Sequence, residues 1–165
     1  MLQLDSYLEI AKSAAFLAGA YIKDQQNKDL EILLNEGRDI KLQIDVDAEK
    51  IIKDHLIAKS SFPILAEESG ASNDLNEFYW VVDPLDGTSN FLRNIPISCV
   101  SIALMKDIDP ILGVIFDFNN NDLYFAHHES KAYMNDSELS VSSITLKTDA
   151  TLVTGIPAKK NYSDE

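Results

Sequence analysis

Leu4, Leu8, Ala11, Ala15, Ala18 and Ile22 recur at three- and four-residue intervals, so the first two dozen residues read as an amphipathic helix. EILLN and DIKLQID then flank Glu36-Gly37, and Ile40, Leu42 and Ile44 alternate with polar positions. That period of two predicts a β-hairpin whose second strand ends at Asp45. Ala48, Ile51, Ile52, His55 and Leu56 return to helical spacing, which predicts a second helix through about residue 58. From Phe62 the pattern is mostly strand: FPILAEE, FYWVVD, SCVSIALM, ILGVIFDF, DLYFAHH, AYMN, ELSVS and TLVTG. Turn chemistry separates these runs at Gly70, Asp83-Gly87, Asp109-Pro110, Asn119-Asn121 and Asn135-Asp136. Two helices followed by a run of strands describe an α+β architecture, with helices covering one face of a largely antiparallel sheet and the strand order left open.

The chain has 165 residues, enough for one domain, or part of a larger one, with a real core. Its 45% hydrophobic and 25% charged composition is ordinary for a globular protein. Fourteen Lys and Arg against 27 Asp and Glu give a net charge of -13, and the basic residues are scattered. A nucleic acid polymer or an anionic membrane surface would be repelled by such a chain. The amino-terminal segment carries acidic residues where a signal peptide is basic, and no run is long enough to span a bilayer. A single cysteine, Cys99, excludes an internal disulfide and reads as a small buried side chain. A cytoplasmic location is the default expectation.

Candidate chemistry gathers in WVVDPLDGTSNF, residues 80 to 91. Taken alone, DPLDGT is more often punctuation, since Asp-Pro and Asp-Gly are frequent turn pairs and Asp or Thr a routine helix cap. The sharper reading has Asp83 and Asp86 converge on one cation across a turn fixed by Pro84. Gly87 and Thr88 then open a short helix whose free N–H groups favour a phosphate oxygen. Hard oxygen ligands suit Mg²⁺, which needs further carboxylates nearby. ILAEES offers Glu67 and Glu68 at a strand end, and IDVDAE offers Asp45 and Asp47 at a strand-to-helix junction. Neighbouring strand residues point to opposite faces, so each pair can send one member into a shared site, and periodicity leaves open which.

PILAEES followed by WVVDPLDGTSNF resembles the inositol monophosphatase family, within the superfamily of lithium-sensitive, Mg²⁺-dependent sugar and nucleotide phosphatases that includes fructose-1,6-bisphosphatase. The likeness runs from about residue 5 to the end through DIKLQIDVDAEK, AEES, DPLDGTSNF and ILGVIFDF. It implies the layered αβαβα sugar-phosphatase fold, of which residues 1–165 would form the amino-terminal, metal- and phosphate-binding portion. By motif, Glu67 looks like a ligand of the activating metal, Asp83 like the carboxylate shared between two metals, and Leu85 like the residue lending its main-chain carbonyl. Asp86 looks like a ligand of the second metal. Asp45 resembles the aspartate that hydrogen-bonds Thr88, the pair positioning and deprotonating the attacking water, and Gly87 and Thr88 resemble the phosphate-cradling amides. The implied reaction is hydrolysis of the phosphomonoester of a small sugar, inositol or nucleotide by metal-activated water, with Mg²⁺ as cofactor, Li⁺ as inhibitor and a homodimer as the assembly. His55, His127 and His128 are assigned to packing or surface.

Two departures qualify the resemblance. The family's further aspartate, in a distal Trp-Asp motif, has no counterpart, because the one tryptophan, Trp80, precedes DPLDGT. ESKAYMND also replaces a usual glycine-rich segment. The expectation is therefore a truncated chain with exposed apolar surface that binds one metal better than two and hydrolyses phosphomonoesters feebly or not at all. A catalytically silent fold remnant serving as a binding or regulatory module is the alternative.

Overall fold

The computed structural model describes residues 2–36, 39–72, 74–151 and 153. The first amphipathic segment is helix α1 (Leu4–Gln25), and its buried stripe holds the predicted Leu4, Leu8, Ala11, Ala15, Ala18 and Ile22, with Ala14 in addition. Small residues on that stripe bring the helix close to the sheet. At Gly19 an added Cβ would fall 2.5 Å from the Phe116 ring, so only glycine permits this approach.

A two-stranded antiparallel hairpin follows, β1 (Ile32–Glu36) with β2 (Asp39–Leu42). Its expected turn residue, Gly37, lies outside the described residues. The second strand stops earlier than its alternation suggests. Helix α2 (Gln43–Lys59) already includes Ile44 and Asp45, and the Asp45 carboxylate accepts the Leu42 N–H at 2.7 Å. A carboxylate three residues past the cap residue Leu42 satisfies an otherwise free amide, and this local bond outweighs the strand-like alternation.

The remaining strands, β3 (Ile64–Ala66), β4 (Gly70–Ala71), β5 (Phe78–Asp86), β6 (Cys99–Lys106), β7 (Asp109–Asp117), β8 (Asp122–His127), β9 (Tyr133–Met134) and β10 (Ser137–Glu138), form one sheet. Its order is β10-β9-β8-β7-β6-β5-β3-β4, antiparallel throughout except for the parallel β3–β5 pair. The α+β reading holds. Two details differ from it. Asp109 and Pro110 begin β7 instead of marking a turn, and the reversal is made by Asp107 at φ 52. ELSVS contributes only Glu138 to the sheet, and most of TLVTG lies outside the described residues.

Both long helices lie on one sheet face, α1 against β6, β7 and β8 and α2 against β5. Val82, Ile102 and Val114 are in register on this face and buried, and Trp80, fully buried, donates its indole N–H to Ser60 Oγ at 3.1 Å. The other face carries the row Asp83, Ser101, Ile115, Tyr124, Met134 across five strands. No helix of the described residues covers it, and Ile115 stays 45% exposed there, the apolar exposure the sequence led us to expect. Among the described residues no helix is long and apolar enough to cross a membrane.

Candidate active site

The chemistry gathers where β3 and β5 end and α2 begins. The expected turn around Pro84 is absent: DPLD stays within β5, and the break is a β-bulge against β6. Asp83 faces Ser101 and Asp86 faces Cys99, so two intervening residues, Pro84 and Leu85, oppose the single Val100. A regular strand would send residues three apart to opposite faces. The bulge adds the one position that returns both aspartates to the helix-free face. Pro84 suits a place where a ladder amide is lost, and Leu85, 1% exposed, anchors the bulge in the core.

Glu67 follows β3 and donates its N–H to the Val82 carbonyl at 3.0 Å, which sets it beside Asp83. Asp83 is the perturbed group. Burial drives its carboxyl well above the usual range, Glu67 and Asp86 push it further, and the Leu85 N–H opposes them only in part. Its Oδ1 is buried without a hydrogen-bond partner. Asp45, 1% exposed, is raised to about 7, chiefly by burial, with Glu68 and Glu67 adding to the rise and the Leu42 N–H and Lys41 opposing it. Its Oδ1 is likewise unpartnered.

Tertiary partners decide the choices that periodicity left open. Glu68 is taken up by an ion pair with Lys41 of β2 while staying near Asp45, and Glu67 stands at Asp83. Asp47 is occupied by the Tyr21 hydroxyl at 2.7 Å and the Gln43 amide at 2.8 Å, leaving Asp45 toward the other carboxylates.

Gly87 makes the turn out of β5 at φ 89, and an added Cβ would fall 2.6 Å from the Ile97 carbonyl oxygen. Helix α3 (Thr88–Leu92) begins there, and its first amides have no acceptor within the helix. The Thr88 hydroxyl donates to the Leu85 carbonyl at 3.0 Å. The expected Asp45–Thr88 hydrogen bond is therefore not formed, and the Leu85 carbonyl already has one donor. An open depression of about 390 Å³ adjoins Asp86 and Gly87, with Asn90, Ser98, Cys99 and Tyr124 in its wall.

Cys99 is half-buried, its Sγ 3.9 Å from Asp86 Oδ2, and burial and the nearby carboxylates push its thiol up to about 12. A thiol so held is no nucleophile. The three histidines contact none of these groups: His127 pairs with Asp5 at 3.1 Å, His128 is near Glu129, and the Nε2 of His55 is buried without a partner. Sequence reasoning missed Glu49 and Lys41. Both read as solvated charges on regular elements, and nothing local marks them as contacts of the AEES turn.

The donors fit a divalent cation in chemistry. They are hard oxygens, crowded enough to raise Asp83 and Asp45, and one buried oxygen of each lacks a partner. Glu67, Asp83, Asp86 and the Leu85 carbonyl are the groups that could hold such an ion. The fit is partial in geometry: among the described residues no group of three His, Cys, Asp or Glu closes to the spacing of a complete metal site.

Comparison with known proteins bears on the whole chain. The model of the inositol monophosphatase family matches residues 3–163. An inositol-1-monophosphatase of Synechocystis is 38% identical over 158 residues, which cover 92% of this chain and 54% of that protein. A fructose-1,6-bisphosphatase/inositol-1-monophosphatase of Aquifex aeolicus is 32% identical over 164 residues, covering 96% and 61%. The crystal structure of the extragenic suppressor protein suhB of Bartonella henselae superposes with a TM-score of 0.78 at 34% identity, covering 84% of this chain and 55% of that one. The chain thus spans little more than half the length of these relatives. By sequence along nearly its whole length and by fold, it belongs to the inositol monophosphatase family.

Proposed function

We propose that this chain carries the metal- and phosphate-binding carboxylates of a phosphomonoester hydrolase acting on a small phosphorylated sugar, inositol or nucleotide. The observation that carries the reading is Asp83: its buried, unpartnered oxygen stands beside Glu67 and shares a sheet face with Asp86. Such crowding of like charges is unfavourable unless a cation stands among them. The names of the relatives, inositol-1-monophosphatase and fructose-1,6-bisphosphatase/inositol-1-monophosphatase, support the substrate class.

In this reading Glu67, Asp83, Asp86 and the Leu85 carbonyl hold Mg²⁺, with Li⁺ as a competing inhibitor. When bound, the cation neutralises charge on the phosphoryl oxygens and leaving alkoxide and makes water a better nucleophile. Asp45 is well suited to take a proton near neutral pH, being raised to about 7. Gly87 and Thr88 present amides to a phosphate oxygen. For Thr88 to aid Asp45, its hydroxyl must turn from the Leu85 carbonyl. A homodimer and a cytoplasmic setting belong to the same proposal.

A binding or regulatory module without turnover is the second reading. It is favoured by the Thr88 hydroxyl's bond to Leu85 and by the incomplete metal geometry among the described residues. Calorimetry with Mg²⁺ and phosphate release from inositol 1-phosphate separate the two, with Asp83→Asn as control. The hydrolase reading expects Mg²⁺ binding that Asp83→Asn removes, with feeble turnover by the 165-residue chain. Mg²⁺ binding unaffected by Asp83→Asn would sink it.

A further inference from the structure

Glu49 is a charged side chain only 3% exposed, one helical turn beyond Asp45 on α2. Burying a carboxylate is unfavourable without strong partners, so its partners say what it does. Its Oε2 accepts the main-chain N–H of Glu68 at 2.8 Å, a contact between residues 19 apart in sequence. Its Oε1 is 3.7 Å from Lys53 Nζ, and that ammonium donates to Ser69 Oγ at 2.7 Å. One carboxylate and one lysine of α2 thus grip two successive residues of the turn after β3.

The residue next to this grip is Glu67. Its own N–H is bonded to the Val82 carbonyl at 3.0 Å, and the following peptide group is bonded through the Glu68 N–H to Glu49. Both peptide planes flanking the Glu67 Cα are therefore pinned, one by the sheet and one by the helix. With φ and ψ so restricted, the Cα–Cβ direction is set, and the carboxylate it carries lies beside Asp83. Left free, the backbone at Glu67 would let its flexible side chain sample positions away from Asp83, which would have to be given up again on binding a cation.

We propose that Glu49 is a positioning residue: by accepting the Glu68 amide it holds Glu67 against Asp83 and so preorganises the cation site. The inference rests on the metal-binding reading above and deepens it. What matters is the acceptor at the right reach, with the charge secondary.

The test is calorimetry with Mg²⁺ alone at a temperature where circular dichroism shows every variant folded. Glu49→Gln keeps an acceptor at the same distance and is expected to keep Mg²⁺ affinity within about threefold, whereas Glu49→Asp keeps the charge, loses the reach and is expected to weaken binding about tenfold or more. Ile52→Val, a buried change on the same helix, should lower the unfolding midpoint and leave affinity unchanged, which separates positioning from general loss of stability. Glu67→Gln tests the underlying reading. If it weakens Mg²⁺ binding while Glu49→Asp does not, positioning by Glu49 is overturned and the metal site stands. If Glu49→Gln loses affinity and Glu49→Asp retains it, charge and not reach is what counts, and the proposal also fails. If Glu67→Gln itself binds normally, the metal reading falls and takes the proposal with it.

Discussion

Asp83 and Asp86 are three residues apart in one strand, yet they face the same side of the sheet, opposite Ser101 and Cys99. The bulge that aligns them places two carboxylates on one face with Glu67 adjoining, and the metal-free protein bears the electrostatic strain.

That strain predicts a trade between stability and binding. Asp83→Asn is neutral without taking up the proton that the crowded Asp83 carboxyl favours, and it keeps a polar group of the same shape. In chelator, Asp83→Asn should be the more stable protein by about 1 kcal/mol, a rise of roughly 2–4 °C in the unfolding midpoint. With excess Mg²⁺ the order should reverse, because the parent gains stability from the bound ion and the variant does not. Thermal unfolding of both proteins in chelator and in Mg²⁺ checks this. A variant less stable in chelator would count against the strain.

The two aspartates of IDVDAE should separate cleanly. Asp47 holds the Tyr21 hydroxyl and the Gln43 amide, a link between α1 and the start of α2. Asp47→Ala is expected to cost about 1–3 kcal/mol through those lost bonds, with Mg²⁺ affinity unchanged. Denaturant unfolding and calorimetry on one preparation measure both quantities.

Gly87 should resist substitution for two independent reasons. Its φ of 89 is left-handed, and its missing Cβ leaves room for the Ile97 carbonyl oxygen, which would be only 2.6 Å away. Gly70 shares the left-handed backbone at φ 72 but has open space around it. Gly70→Ala should therefore cost about 1–2 kcal/mol from backbone strain alone. Gly87→Ala should cost clearly more, since the clash is with backbone and cannot be relieved by a side-chain rotation. Equal losses in denaturant unfolding would mean that the contact with Ile97 is soft.

What could be read from the chain alone follows from the range of the forces involved. The α1 stripe and the apolar runs of strands β5 to β8 are marked by periodicity and appear where it puts them, while the expected turns at Pro84 and Asp109-Pro110 are absorbed into β5 and β7. The convergence of Asp83 and Asp86 was also legible from their spacing, but its device was not. Strand alternation separates residues three apart, and a bulge shows only in pairing with β6. The choice of Glu67 over Glu68, and of Asp45 over Asp47, depended on Lys41, Tyr21 and Gln43, which meet those carboxylates through the fold. The β2–α2 boundary was misplaced because Ile40, Leu42 and Ile44 alternate across it. The side-chain bond from Asp45 to the Leu42 amide prevails there.

The same Asp45 supplies a test by pH. Its carboxyl lies at about 7 in the folded chain against an ordinary value of 3.8, because burial and the neighbouring glutamates disfavour its charge. The folded state therefore holds a proton there that the unfolded state has released between these two values. Stability depends on pH through the difference in bound protons, so it must fall as pH rises across this window. The contribution is fully present below about pH 4 and lost above about pH 7, on the order of 4 kcal/mol at most. Asp45→Asn stays neutral throughout and should remove this slope while leaving those of the other groups. Urea unfolding of both proteins in chelator between pH 4.5 and 7.5 measures the difference, over a range where other carboxylates contribute equally to the pair. A parent protein that gained stability relative to Asp45→Asn as pH rose would show that Asp45 is charged in the fold, and would remove it as the group that accepts a proton near neutrality.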